Sequence, residues 1–173
     1  MAITTGHSVT QSDLVVKGGV KHILITEYAT CTFSAATSGS VDWTTSATDN
    51  KIFNFEFELE TANWSWTSTS ERGSTIVEHT VSFYVPNMKK ETMQKFAELE
   101  NVPILCVVAL NNNKTFVIGH SDTYKGTGGT GTASNQMMAM ITSIEGNSGS
   151  AFSDTTGMTV NITARQGELP LEN

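Results

Sequence analysis

The chain has 173 residues, a length that suits a single domain with a sizeable hydrophobic core. Hydrophobic residues make up 38% of it and charged residues only 16%, and Thr, Ser and Asn are abundant, which is typical of a folded protein built mainly from β-strands. Its net charge of −7, with one short basic cluster at Lys89-Lys90, argues against a protein that grips nucleic acid.

The two cysteines and the first residues of the chain bear on its compartment. Cys31 and Cys106 lie far apart without metal-ligand spacing, so both are expected to be buried free thiols. The opening sequence MAITTGHSV lacks the basic and apolar regions of a signal peptide, and the longest apolar run, Ile104–Leu110, is too short to span a bilayer. The sequence therefore predicts synthesis in the cytoplasm and no membrane partner.

Two polar segments lie in the N-terminal part of the chain. Residues 1–19 are predicted to form a flexible arm, and a single domain is expected to span residues 20–173, beginning with a strand from Val20 to Tyr28. Residues 34–50 are mostly turn-forming residues and are predicted to form a long loop, with Trp43 as a buried candidate.

The clearest strand pattern begins at Phe53, where strict alternation places large apolar side chains on one face and carboxylates on the other. The apolar residues are Phe53, Phe55, Phe57 and Leu59, and the acidic residues are Glu56, Glu58 and Glu60. Trp64 and Trp66 are predicted to extend this strand past a bend, and a turn at Arg72-Gly73 leads to a second strand over residues 75–85. The two strands are predicted to form a long antiparallel hairpin. In the second strand, the inward residues are expected to be Val77, Val81, Phe83 and Val85, with Glu78 outward.

One helix is predicted. Pro86 ends the preceding strand, Asn87 is the expected N-cap, and the helix is expected to occupy about residues 87–100. Its apolar stripe is expected to contain Met93, Phe96 and Ala97, with Leu99 beside it. One helix among several strands predicts a mainly β fold, an antiparallel β-sandwich or barrel with a single flanking α-helix.

The C-terminal third consists of strand patterns and turn residues. Strands are predicted over residues 103–110, 115–119, 136–144 and 158–166. Between the second and third of these strands, the run GTGGTG (Gly126 to Gly131) has the spacing of a dinucleotide-binding loop, but a strand pattern rather than a helix follows it. No cofactor is therefore expected, and this segment is predicted to be a flexible loop.

No catalytic or metal site is predicted. His120-Ser121-Asp122 contains the residue types of a hydrolase triad, but contiguous residues of an extended segment point to alternate sides and do not converge. His7, His22 and His79 show no metal-ligand spacing. The protein is therefore not expected to be an enzyme.

The C-terminal strand order resembles that of tail-tube-like structural proteins of tailed bacteriophages. Asp154, Gly157 and Thr159 match the Asp-x-x-Gly-x-Thr pattern of the family's final strand, here Met158 to Arg165, and the resemblance covers a little over a third of the chain. It implies a small β-sandwich whose copies form a ring, expected to be hexameric, and stack into a tube. It also implies a virion tail protein, with other tail or neck proteins as partners and DNA passing through without specific binding.

The resemblance suggests roles for two groups of residues. Four acids are hypothesised to line the channel and repel phosphates: Glu56, Glu58, Glu60 and Glu78. The alternative for these acids is an ordinary solvated strand face. Four residues of the polar loops are predicted to lie at contacts between subunits: Trp43, Asp49, Gly126 and Gly129.

Two other functions stay open from the sequence. A neck or head–tail connector protein would share the fold and the acidity but would form one ring only. A carbohydrate-binding β-sandwich module would use Trp43, Trp64 and Trp66 as a sugar platform, although core or interface packing is the commoner role of such residues.

Overall fold

The computed structural model describes residues 18–33, 40–45, 52–55, 57, 60–121, 138–150 and 154–173. Within these ranges the chain forms eleven strands, one α-helix and a 3-10 turn at Tyr28–Thr30. The elements are β1 (Val20–Glu27), β2 (Cys31–Phe33), β3 (Trp43–Thr45), β4 (Ile52–Phe55), β5 (Asn63–Glu71), β6 (Ser74–Pro86), α1 (Lys90–Leu99), β7 (Ile104–Leu110), β8 (Thr115–Ile118), β9 (Met140–Asn147), β10 (Gly157–Gln166) and β11 (Leu171–Glu172).

The strands form two main antiparallel sheets. One has five strands in the order β11-β8-β7-β1-β4, and the other has four strands in the order β5-β6-β10-β9. The short strands β2 and β3 pair with each other. The predicted fold class, a mainly β antiparallel sandwich with one flanking helix, is confirmed.

The main core lies between the two sheets and is built by period-2 alternation. The four-stranded sheet contributes Val81, Phe83, Val85, Val160 and Ile162, and the five-stranded sheet contributes Ile23, Ile25, Ile104, Cys106 and Val108. Helix α1 closes one side of this core, where the Phe96 ring stacks on the Phe55 ring with centroids 4.5 Å apart. The predicted inward face of β6 and the predicted burial of Phe55 are confirmed.

A second apolar cluster covers the other face of the five-stranded sheet. It contains Tyr28, Cys31, Val41, Leu105, Val107, Val117 and Leu171. Strand β7 is therefore buried on both faces, which explains why its sequence is a continuous apolar run. Cys106 and Cys31 are buried free thiols, as predicted, and burial raises their pKa values to about 12 and about 11.

The hairpin was predicted with the wrong first strand. β4 ends at Phe55 and pairs with β1 in the five-stranded sheet, whereas Trp64 lies on β5 in the opposite sheet. The chain thus changes sheets between Phe55 and Asn63, and the hairpin consists of β5 and β6 joined at Arg72-Gly73. The alternation of residues 53–60 did not reveal this change, because a strand in either sheet buries the same apolar face.

The helix is shorter than predicted and buries only part of the expected apolar set. It begins at Lys90, because Asn87 has a left-handed backbone (φ 63°) and donates its N–H to the carbonyl of Thr156 at 2.8 Å instead of capping the helix. Its buried residues are Phe96 and Leu99, while Met93 and Ala97 are exposed.

The sandwich is joined at one edge by a bridge between the two sheets. The N–H of Ile104 at the start of β7 donates to the carbonyl of Ala139, just before β9, at 2.9 Å. Gly119 lies beneath this bridge with a φ of 94°, and a Cβ atom there would lie 2.7 Å from the Ala139 nitrogen.

The strand that was predicted over residues 136–144 begins at Met140 and extends to Asn147 in the structure.

The polar segments are partly outside the described residues. Residues 1–17, 34–39 and 46–50 lie outside them. The prediction of an unbroken loop over residues 34–50 is wrong at its centre, because β3 pairs there with β2 and places Trp43 opposite Phe33.

Candidate functional site

The outward face of the four-stranded sheet is polar and regular. The strand register places on it Asn63, Ser65, Thr67 and Thr69 from β5; Ile76, Glu78, Thr80, Ser82 and Tyr84 from β6; Thr159, Asn161, Thr163 and Arg165 from β10; and Met140, Ser143 and Glu145 from β9. Side chains bond across the strands, as where the Asn161 amide donates to the Ser143 hydroxyl at 2.9 Å. Hydroxyl and amide groups dominate this surface.

Few charges lie on this face among the described residues. Arg165 and Glu78 are direct neighbours across β10 and β6, and Nη2 of the arginine lies 2.8 Å from Oε1 of the glutamate. Glu145 adds one further carboxylate at the β9 edge. The face is therefore close to neutral, with a slight excess of negative charge.

Two of the four predicted channel acids, Glu60 and Glu78, lie in the described part of the chain, and the fold separates them. Glu78 lies on the outward face, as its alternation predicted, and forms an ion pair with Arg165. Glu60 does not share a strand with it, because it lies in the turn before β5 with a φ of 67°. Glu56 and Glu58 lie outside the described residues.

The predicted contact residues can be placed only in part. Trp43 lies on β3, half-buried against the second apolar cluster. Asp49, Gly126 and Gly129 fall in the segments that the structure does not describe.

The three tryptophans do not share one exposed surface. Trp43 packs in the second apolar cluster, on the far side of the five-stranded sheet. Trp64 packs against the main core, with its ring centroid 4.8 Å from the centroid of the Phe116 ring. Trp66 is the exception, with 45% of its surface exposed. A sugar platform built from all three is therefore not present.

The residues of the Asp-x-x-Gly-x-Thr pattern shape the start of β10. The Asp154 carboxylate accepts a hydrogen bond from the Ser150 backbone N–H at 2.8 Å. Gly157 is buried beneath the Tyr84 ring, where any side chain would overlap the phenol. Thr159 lies opposite Tyr84 on the outward face.

The two outer strands of this sheet have free edges in the part of the chain that the structure describes. β5 pairs only with β6, and β9 pairs along its length only with β10. Because each strand runs antiparallel to its neighbour, a four-stranded sheet leaves β5 and β9 running in opposite directions. Neither strand contains Lys or Pro, the residues that commonly protect an exposed edge from pairing with another chain.

His120 and Ser121 belong to a buried polar cluster that the sequence did not reveal. The His120 ring stacks on Phe33 with centroids 3.8 Å apart, and its Nδ1 bonds to the Tyr28 hydroxyl at 2.9 Å. The Ser121 hydroxyl instead donates to Glu168 at 2.8 Å. Tyr28 is thus a hydrogen-bond partner of His120, and Glu168 is a partner of Ser121. Asp122 lies outside the described residues.

His79 is another buried polar residue whose burial sequence reasoning missed. It occupies an inward position of β6, between Val77 and Val81, and is 1% exposed. Its position in the alternation was the available signal, since the neighbouring inward residues Val77, Val81, Phe83 and Val85 are apolar. Burial lowers its pKa to about 4, so the imidazole is neutral at ordinary pH.

No group of three His, Cys, Asp or Glu side chains that could hold a metal ion occurs within the described ranges. The described helix is not long and apolar enough to cross a membrane. A comparison with protein-family models and with curated protein sequences finds no match for this chain.

Proposed function

We propose that this protein is a structural subunit of a bacteriophage tail, which assembles through its four-stranded sheet into rings that stack into a tube for the viral genome. The observation that carries this proposal is a pair of sheet edges, β5 and β9, that have no strand partner in the described part of the chain and belong to one even-stranded antiparallel sheet. The tail-tube-like strand pattern of the C-terminal third provides the viral context.

The direction of the two edges favours a ring. If β9 of one copy pairs with β5 of the next, the new pair is antiparallel and continues the alternation of the sheet. Such a contact joins two different surfaces of the subunit, so its repetition closes into a ring when the rotation per copy fits. Main-chain hydrogen bonds provide the affinity, as in other cases of strand addition.

The position of the core determines which face would line the channel. The inward face of the four-stranded sheet is covered by the five-stranded sheet and α1, so the bulk of each subunit lies behind it. In a closed ring, the bulk of each subunit has to lie farther from the central axis than its four-stranded sheet, because more space is available for each copy there. The outward polar face then lines the central space, including the Glu78–Arg165 pair and Glu145.

The chemistry of this face suits a duplex that passes without being held. Nucleic-acid affinity comes largely from Lys and Arg that neutralise phosphates, and this face presents hydroxyls, amides and a slight excess of acid. A weakly negative wall repels phosphates instead of binding them.

Electron microscopy of concentrated protein, with sedimentation velocity, tests the proposal. The wild-type chain is expected to form stacked rings. Ser65→Lys places a charge on the β5 edge and is expected to abolish rings, while Thr80→Lys, at the position directly opposite on β6, is expected to leave them intact. A wild-type protein that stays monomeric at high concentration would contradict the proposal. Single rings without tubes would favour a neck or connector protein instead.

A further inference from the structure

Arg165 is the single cation among the described outward residues of the four-stranded sheet. It lies on β10, one of the two central strands, and its side chain is 66% exposed. Its direct cross-strand neighbour on β6 is Glu78, whose side chain is 57% exposed and lies within 2.8 Å of the guanidinium. The ion pair thus lies open on the surface rather than in the core.

We propose that Glu78 masks Arg165, so that the sheet surface presents no free guanidinium to a polyanion. This inference rests on the proposed function and concerns the same face. A free guanidinium binds a phosphate through two parallel hydrogen bonds, which makes arginine a strong phosphate ligand. In a ring, one such group per subunit would form a band of phosphate sites around the channel, and multivalent contact would retain a passing duplex.

The register shows that no other described carboxylate on this face can replace Glu78. Among the residues whose side chains the structure describes, the next acid on this face is Glu145, which lies opposite Thr159, six residues along β10 from Arg165, a separation of about 20 Å. The face positions between them hold only Asn161 and Thr163 on β10. Removing the Glu78 carboxylate therefore leaves Arg165 without an acidic neighbour among these residues.

The exposure of the Glu78–Arg165 pair indicates that its main role is not to stabilise the fold. Exposed ion pairs contribute little to stability, because water screens the charges and two long side chains lose conformational freedom. Glu78→Gln keeps the size of the side chain and the strand register while removing the charge. The variant is therefore expected to fold and assemble as the wild type does.

Assembled protein and a short duplex oligonucleotide test the inference by co-sedimentation at low salt. Glu78→Gln assemblies are expected to retain about tenfold more duplex than wild-type assemblies, and added salt is expected to release it. The matched controls are Arg165→Gln and the double variant Glu78→Gln/Arg165→Gln, both of which are expected to retain no more than the wild type. Glu78→Thr, a neutral residue suited to strands, serves as a second unmasking variant if the glutamine variant folds poorly.

Two results would overturn the inference while leaving the proposed function in place. One is a Glu78→Gln assembly that retains no more duplex than the wild type. The other is a double variant that retains as much as Glu78→Gln, since the binding would then come from another cation. Wild-type protein that forms no rings would overturn both the proposed function and the inference.

Discussion

The indole N–H of Trp64 donates a hydrogen bond to Nδ1 of His79 at 3.3 Å, and the two rings lie within 6° of parallel. This bond assigns the proton of the neutral imidazole to Nε2. It also links the outer strand β5 to β6 from the inner side of the sheet. The edge that we propose to join neighbouring subunits is therefore anchored by a residue whose charge depends on pH.

We expect the stability of the protein to fall on acidification because of His79. Its folded pKa of about 4 lies below the ordinary value of 6.5, so the unfolded chain binds the proton more readily. The contribution of the neutral His79 side chain to the free energy of unfolding is complete above pH 6.5. It is lost as the pH falls from 6.5 towards 4, by up to about 1.4 kcal/mol per pH unit. Urea unfolding at several pH values measures this slope. His79→Gln, which does not titrate, is expected to show a shallower slope, and equal slopes would contradict the assignment.

Phe55→Ala is expected to lower the free energy of unfolding by about 3–5 kcal/mol, the usual cost of removing a buried aromatic ring. The Phe55 side chain is 5% exposed and stacks on Phe96 beneath α1. Phe57→Ala is the matched comparison and is expected to cost less, because Phe57 is only partly buried. Chemical denaturation provides both values, and a loss below about 1 kcal/mol for Phe55→Ala would place this ring outside the core.

Gly157→Ala is expected to destabilise the protein by about 1–3 kcal/mol, the usual cost of overpacking. An added methyl group would overlap the Tyr84 ring that covers this glycine. Tyr84→Ser removes the ring, so the alanine should cost much less in that background. A double-mutant cycle in urea measures this coupling, and strictly additive effects would show that the two residues do not compete for the same space.

The sequence predicted those parts of the fold in which a strand's own pattern determines its burial. Alternation located β6 and β10, and an unbroken apolar run located β7. A strand buried on one face alternates between apolar and polar residues, whereas a strand buried on both faces is continuously apolar. It did not show that β4 and β5 belong to different sheets. That depends on long-range pairing of β4 with β1 and of β5 with β6, and both strands alternate with the same period.

The candidate site could be predicted one residue at a time but not as a surface. The outward position of Glu78 followed from its place in β6, yet its partner Arg165 lies far along the chain and is brought opposite only by the β6–β10 register. The buried contact between Tyr28 and His120 likewise joins residues 92 positions apart. A polar side chain at an inward position indicates that a partner is needed, but its identity comes from the fold.

The central place of β7 has a consequence for how the chain acquires its structure. β1, near the N-terminus, pairs with β7 through contacts such as Ile23 with Val108, so one edge of β1 has no partner until most of the chain has left the ribosome. Sheets that depend on such distant pairings fold slowly, over about milliseconds to seconds, because a long loop must close before the contacts form. During that interval the apolar strand β1 is open to aggregation with other nascent chains. Rapid, high-level synthesis should therefore favour inclusion bodies, and slower synthesis should favour soluble subunits.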